Sequence, residues 1–296
     1  MMGKAELLLS RLKDDSRGAL LAPGVFDGLS AMMAEKAGAE ALYLSGASFA
    51  YTRFGRPDIG LVSMSEMAEN IAAISDRVAL PLIVDADTGF GNALNVKRTA
   101  RVFARAGAAA IQLEDQTLPK RCGHLAGKTL VSTEEMVGKI KAAKDELADG
   151  RCLVIARTDA IAIEGFEAAL RRAEAFVEAG ADILFVEAPP DEQAMQAITE
   201  QFSARLPLLA NMVEGGKTPL LGLDELGALG FRLVIYPGAF VRALTFMGNQ
   251  FYADLMASGG TAGWQDKMLD LVGLNQLLGT DDILEDGKKY DPEAQD

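Results

Sequence analysis

The run Lys120-Arg121-Cys122-Gly123-His124 holds the chain's only histidine and one of its two cysteines. Ammonium, guanidinium, thiol and imidazole within five residues make a cationic pocket. In such a pocket a thiol exchanges its proton near neutral pH. A basic surface loop with an incidental thiol is the plainer reading of the pentapeptide taken alone. The residues found elsewhere in the chain decide between the two.

Further candidates sit where short apolar runs end: Ser45-Gly46, Asp85 and Asp87, Glu114, Arg157 and Asp159, Glu187, and Asn211. Asp85 and Asp87 lie two apart on an expected strand, and the period of two turns both carboxylates to one face. Like charges held that close favour a shared proton or a divalent cation. Hard oxygens with room for water suit Mg²⁺, with Mn²⁺ as a substitute. Glu114, one strand over, could steady a metal-bound water, and Asp58 could reach one too. A solvated turn at Arg56-Pro57-Asp58 explains Asp58 almost as well. Capping of a helix that begins at Asn92 is the alternative for the two aspartates. For Glu187, ahead of Pro189-Pro190, the alternative is a solvated loop.

Ser45-Gly46-Ala47 offers a hydroxyl and backbone N–H groups that a carboxylate could approach closely, because glycine leaves room. A plain turn explains that motif equally well. Arg157 and Arg242 are stronger candidates for carboxylate partners, since the guanidinium fork matches two oxygens. Tyr43, two residues before Ser45, faces the same mouth or the core.

Positioning so many groups requires a repeated scaffold. Strands are predicted at Leu20–Phe26, Ala41–Gly46, Pro81–Asp87, Ala110–Asp115, Leu153–Thr158, Ile183–Ala188, Leu206–Met212 and Leu233–Pro237. Several are nearly continuous runs of Ile, Leu and Val, as expected of parallel strands buried on both faces. Between them lie amphipathic stretches at Ser65–Ser75, Ala93–Ala106, Thr133–Leu147 and Glu164–Ala179. Ala37-Gly38-Ala39, Ala106-Gly107-Ala108 and Ala179-Gly180-Ala181 read as helix stops, because glycine at C′ takes the left-handed conformation. Eight strands alternating with helices predict an α/β fold of the (β/α)8 barrel type. A doubly wound open sheet is the alternative, but no Gly-x-Gly-x-x-Gly follows the first strand. Such a barrel carries its active site at the carboxyl ends of its strands.

The whole chain, 1–296, reads as one barrel domain, with 239–296 as a C-terminal helical extension that includes a helix-like stretch at Trp264–Leu278. Part of that extension exceeds what a closing helix needs and is expected to pack on a neighbouring subunit. Thr117–Val131, with Pro119, Gly123 and Gly127, is long for a strand-to-helix connection. It is expected to be a lid that closes over substrate and brings Cys122 in.

Composition narrows the function class. Hydrophobic residues make up 49% and charged residues 24%, as in an ordinary globular protein. A formal net charge of −13 argues against nucleic acid, whose phosphates need an excess of Lys and Arg. An anionic substrate must then be held by local cations. Two cysteines are too few for a disulfide framework. Met1 to Arg17 lacks the apolar core of a signal peptide, and no apolar run approaches the ~20 residues that cross a bilayer. The expectation is a cytoplasmic protein with no membrane partner.

Tyr43-Leu44-Ser45-Gly46, Asp85-Ala86-Asp87-Thr88-Gly89-Phe90-Gly91, Leu113-Glu114-Asp115-Gln116, Lys120 to His124, Ile155-Ala156-Arg157-Thr158-Asp159 and Asn211-Met212 occur in this order across most of the chain. Together they resemble the signatures of the isocitrate lyase / phosphoenolpyruvate mutase superfamily. The resemblance implies a (β/α)8 barrel whose eighth helix is exchanged between subunits, usually in a homotetramer, with Mg²⁺ at the mouth. It implies Asp85 and Asp87 at the metal, and Asp58 and Glu114 through water. It also implies Ser45, Gly46, Ala47, Gly123, His124, Arg157, Glu187, Asn211 and Arg242 around the substrate, and Cys122 as acid/base.

Phosphoenolpyruvate mutases and phosphonate hydrolases lack the cysteine signature, so Cys122 points to the carbon–carbon lyases. The tail from Leu269 to Gly279 resembles the dimethylmalate lyase and oxaloacetate acetylhydrolase branch. The hydrolase needs a serine after the eighth strand, where this chain has Pro237. Lyases acting on methylisocitrate carry a further arginine in the C-terminal segment, whereas Arg242 is the last arginine here. The implied reaction is cleavage of a 2-hydroxy dicarboxylate of the 2-alkylmalate or 2,3-dimethylmalate type into a 2-keto acid and a shorter carboxylate. Oxaloacetate hydrolysis and 2-methylisocitrate cleavage are the alternatives. A non-catalytic barrel that only binds a metabolite is the alternative from a different class.

Overall fold

Ala5, Leu8 and Leu12 of the first helix, α1 (Lys4–Lys13), are buried among residues that fill the inside of a closed strand barrel. A computed structural model of the chain describes residues 2–121, 123 and 127–291. Among them are eight strands: β1 (Leu20–Val25), β2 (Leu42–Leu44), β3 (Leu82–Asp85), β4 (Ala108–Glu114), β5 (Leu153–Thr158), β6 (Ile183–Val186), β7 (Leu208–Asn211) and β8 (Leu233–Tyr236). They pair in sequence order and in parallel, and β8 returns to β1, which closes the barrel. The helices of this unit after α1 are α2 (Gly28–Lys36), α3 (Gly46–Phe54), α4 (Met64–Arg77), α5 (Ala93–Ala106), α6 (Thr133–Glu146), α7 (Ile161–Glu164), α8 (Phe166–Glu178), α9 (Glu192–Phe202) and α10 (Leu223–Leu229). The predicted (β/α)8 architecture is the observed one.

Local chemistry accounts for the elements. β5 is buried at every position, so its run of Leu, Val, Ile and Ala needs no polar alternation. α5 starts where Asn92 accepts from the N–H groups of Leu94 and Asn95 while Asn95 reaches back, a reciprocal cap. It stops at Gly107, whose φ of 114° suits glycine alone; Gly38 and Gly180 sit at positive φ in the two matching Ala-Gly-Ala segments. The predicted helix Glu164–Ala179 is α8, shortened at its start because Gly165 at φ 88° separates it from the single turn of α7.

The core falls into three clusters, one of them inside the barrel. Tyr43, Ile83, Ala110, Ile155, Ile183, Phe185, Leu209 and Leu233 point into the barrel and meet α1 at its amino end. Val84, Ile111, Val154, Val96, Phe103, Ile140 and Phe176 fill the layer between strands and helices. Burying such side chains contributes roughly 1.5–3 kcal/mol each, so the strand ends are held by a rigid scaffold.

The chain divides into two compact units, 1–240 and 241–296. The second carries most of α11 (Ala239–Ser258), then a 3₁₀ turn at Ala262–Lys267, α12 (Leu271–Leu278) and α13 (Thr280–Lys288). The predicted helix-like stretch Trp264–Leu278 is therefore broken, with Asp270 accepting from Gly273 N–H to start α12 afresh. Trp264 is buried and donates to Asp254 Oδ2 at 2.9 Å. Among the described residues no helix is long and apolar enough to cross a membrane.

Candidate active site

β2 delivers the chain to Ser45, which is the N-cap of α3 and accepts from Ser48 N–H at 3.2 Å. Gly46 and Ala47 follow as the first helical residues. A Cβ on Gly46 would lie 3.2 Å from Asp85 Oδ2 and 3.5 Å from Asp87 Oδ1. Glycine there lets the N-terminal turn of α3 face two carboxylates, where the helix dipole favours negative charge.

The two acids converge by a route the sequence reading did not give. β3 ends at Asp85, and Asp87 lies beyond it at φ 47°, so the two do not share a strand face. A turn brings them together instead, with Asp87 N–H donating to Asp85 Oδ1 at 3.1 Å. The capping alternative fails, since Asn92 caps α5 with its own side chain. Asp87 C=O in turn accepts from Glu114 N–H at 2.9 Å, which ties the turn to the end of β4.

Lys120 lies in the middle of this acidic group. Its Nζ is 2.6 Å from Asp58 Oδ1 and 2.7 Å from Asp87 Oδ1, and all three side chains are buried. Asp58 is therefore part of the cluster rather than a solvated turn residue. Burial, reinforced by Asp85 and Asp58, pushes Asp87 up to about 7 even though Lys120 opposes the shift. Burial works to strip the proton from Lys120, but Asp87, Asp85, Asp58 and Glu114 outweigh it and hold the ammonium charged.

Arg157, near the end of β5, pairs with three carboxylates: Glu114 at 3.4 Å, Asp159 at 3.0 Å and Glu187 at 3.3 Å. Its guanidinium also lies 5.1 Å from the Phe185 ring centroid. Burial opposes the charge on Asp159, but Arg157 and Lys128 outweigh burial and keep that carboxyl below its ordinary range. Glu114 moves the other way, because burial exceeds the help of Arg157 and raises its pKa well above the usual. Glu187 is buried, not solvated, and accepts from Asn211 Nδ2 at 3.1 Å. Tyr43 faces the barrel interior and donates to Gln112 Oε1 at 3.0 Å; burial raises its pKa well above the ordinary phenol value.

The expected lid is anchored at both ends. Thr117 N–H donates to Thr129 C=O and Val131 N–H to Asp115 C=O, each at 2.9 Å. Gln116 clamps Arg121 from both sides, accepting from its N–H at 3.0 Å and donating to its C=O at 2.9 Å. Lys128 bonds both Gly123 C=O and Asp159. A Cβ on Gly123 would lie 2.5 Å from Arg157 Nη2 and 3.1 Å from Glu187 Cγ. The residue after Cys122 is thus pressed against the strand-end charges. Cys122 and His124 themselves lie outside the described residues, and Arg242 lies on α11 in the second unit.

The structure brings Ser45, Gly46, Asp58, Asp85, Asp87, Glu114, Gly123, Arg157, Glu187 and Asn211 to one end of the barrel. Sequence reasoning missed the pairing of Lys120 with the aspartates and the role of Lys128. A lysine aimed at acids distant in sequence leaves no spacing signal. Among the described residues no three His, Cys, Asp or Glu side chains already form a cage that could hold a metal. Mg²⁺ keeps several waters and takes one or two carboxylates from protein, so Asp85 and Asp87 with water-reaching Asp58 and Glu114 fit it. Glu114 Oε1 is buried with no hydrogen-bond partner, as an oxygen awaiting a water or cation would be.

A phosphoenolpyruvate phosphomutase family model matches residues 9–254. A 2,3-dimethylmalate lyase of Eubacterium barkeri is 44% identical over 271 residues, 92% of this chain and 93% of that one. A 2-methylisocitrate lyase of Aeropyrum pernix is 45% identical over 268 residues, 90% of this chain and 85% of that one. Among solved structures, a 2,3-dimethylmalate lyase superposes with a TM-score of 0.91 at 36% identity, covering 100% of this chain and 96% of its own. Oxaloacetate acetylhydrolase with 3,3-difluorooxalacetate gives 0.92 at 34% identity, covering 98% and 97%. Phosphonopyruvate hydrolase, solved with oxalate and Mg²⁺, gives 0.84 at 32% identity, covering 96% and 98%.

Proposed function

The chain belongs to the phosphoenolpyruvate phosphomutase family, and we propose that within it the protein is a magnesium-dependent lyase of 2-alkylmalate or 2,3-dimethylmalate type substrates. It is a carbon–carbon lyase, as are its named lyase relatives at 44% and 45% identity. The products in our reading are a 2-keto acid such as pyruvate and a shorter carboxylate. The observation that carries the reading is the seating of Gly123 against Arg157 and Glu187. Lys120, two residues before Cys122, meets Asp58 and Asp87, which supports a role for that run at the acidic cluster.

Mg²⁺ held by Asp85 and Asp87, with Asp58 and Glu114 through water, would polarise the 2-oxygen and its neighbouring carboxylate. The first-turn N–H groups of α3, with Ser45, Gly46 and Ala47, orient that carboxylate. Glu114 takes the hydroxyl proton: its Oε1 has no partner and its pKa is raised, which suits a general base. Tyr43, the other candidate for that base, is kept protonated by burial and donates to Gln112 Oε1, which favours Glu114. As the carbon–carbon bond breaks, Arg157 offsets the charge growing on the leaving enediolate and Asn211 supplies a hydrogen-bond donor. Cys122 donates the proton that this carbon needs, and His124 and Glu187 complete the charge balance around it. The lid excludes water while the enediolate exists.

2-Methylisocitrate cleavage is the second reading, favoured by a relative of that name at 45% identity. The tail Leu269 to Gly279, which has no arginine, supports the dicarboxylate. A homotetramer with an exchanged eighth helix, in the cytoplasm, completes the proposal. Leu244, Phe246, Met247, Tyr252 and Met256 of α11 are exposed, which favours their burial against another copy. The test is release of keto acid from a panel of 2-alkylmalates with Mg²⁺ and with chelator. A folded, Mg²⁺-supplied protein that cleaves none of them would overturn the reading.

A further inference from the structure

Lys120 belongs to the same short run as Cys122, yet its side chain turns into the acidic cluster. Its ammonium lies within 2.7 Å of oxygens on Asp58 and Asp87. Asp87 Oδ1 is also an oxygen that faces Gly46. Four carboxylates, Asp58, Asp85, Asp87 and Glu114, act on this one buried lysine. Burying that much negative charge without a cation is prohibitive, and here a fixed side chain supplies the cation.

The ammonium takes one of the acceptor sites of Asp87 Oδ1, and it repels a second cation placed on the same oxygen. Mg²⁺ sits ~2.1 Å from its ligands, so the two cations would come within about 5 Å in a site of low effective dielectric. We propose that Lys120 is a built-in counter-ion that occupies the metal position until a divalent cation displaces it. Metal loading and the position of the Lys120 side chain are then linked, and linkage is reciprocal. Release of Lys120 leaves Arg121 held by Gln116. This rests on the metal reading above and adds to it a competition within the chain.

The experiment is Mn²⁺ titration of the full chain without substrate, followed by the electron paramagnetic resonance signal of free Mn²⁺. Lys120→Met should bind Mn²⁺ at least tenfold more tightly than wild type, and Lys120→Arg, which keeps the charge, should restore weak binding. Equal or weaker binding by Lys120→Met overturns the counter-ion and leaves the metal reading intact. Failure of Mn²⁺ to bind any of the three proteins overturns both. Wild type supplies a second measurement that needs no variant. Acetic anhydride labelling of Lys120, followed by mass spectrometry, should rise severalfold when Mn²⁺ is added, and an unchanged or lower yield overturns the inference.

Discussion

The backbone N–H of Asp87 donates to Asp85 Oδ1 across 3.1 Å, so the second acid folds back onto the first. Asp85 is therefore both a proposed ligand and the acceptor that shapes its neighbour. Asp85→Ala should lower kcat/KM by ~10³-fold or more at saturating Mg²⁺, while circular dichroism reports an intact barrel. Near wild-type turnover by this variant in the presence of chelator would refute the metal reading.

Gly123 leaves no room for a side chain beside Arg157 and Glu187. Gly123→Ala should lift the lid from the site by a fraction of an ångström to an ångström. Misplacement on that scale costs ~10²-fold in rate, with the thermal midpoint nearly unchanged because the barrel core is untouched. Full activity in Gly123→Ala would mean that the lid does not work from this position.

Cys122→Ser keeps the size of the side chain but replaces a thiol by a far weaker acid. Turnover should fall ~10²-fold or more with substrate affinity largely kept. Cys152 is the control: it is buried ahead of β5, its thiol pushed up by burial and by Asp182. Cys152→Ala should cost about 1 kcal/mol of packing and leave kcat alone. Equal losses from both substitutions would remove the special role of Cys122.

Burial raises Asp115 from 3.8 to about 6, against the bonds it accepts from Asp159 N–H and Thr158 and the nearby Arg172. A carboxyl raised on folding holds its proton longer in the native state, so stability falls as pH rises from about 4 to about 6. The loss from this group is on the order of 2–3 kcal/mol. Urea unfolding across that window should have a steeper pH slope in wild type than in Asp115→Asn. Identical slopes would contradict the assignment.

Arg242 is the last arginine of the chain, and nothing in Trp264 to Gly279 but Lys267 carries positive charge. Burying a third carboxylate without a matched cation costs several kcal/mol. A 2-alkylmalate or 2,3-dialkylmalate should thus exceed 2-methylisocitrate in kcat/KM by ~10²-fold or more. Kinetics on both substrates would expose the opposite preference, which would favour the tricarboxylate reading.

β5 and α5 are legible in the sequence to the residue, because continuous burial and a capped amphipathic pattern are local properties. The end of β3 is not: Asp85-Ala86-Asp87 reads as alternation, and only the left-handed Asp87 reveals a turn. The acids at the strand ends were legible as a set, since a barrel forces strand ends together. Their partners were not. Lys120 meets Asp58, and Arg172 meets Asp115 and Glu164, across separations that no local pattern records.

α1 fills the amino end of the barrel with Ala5, Leu8 and Leu12. The vessel so formed is closed at that end, and the reaction makes two fragments from one molecule. On our reading of the site, both leave from the strand ends where their parent is held. Departure is then a queue, in which the fragment nearer solvent leaves before the one seated deeper against the strand ends. The plug at the far end of the barrel, remote from any bond that breaks, thereby imposes an order on release.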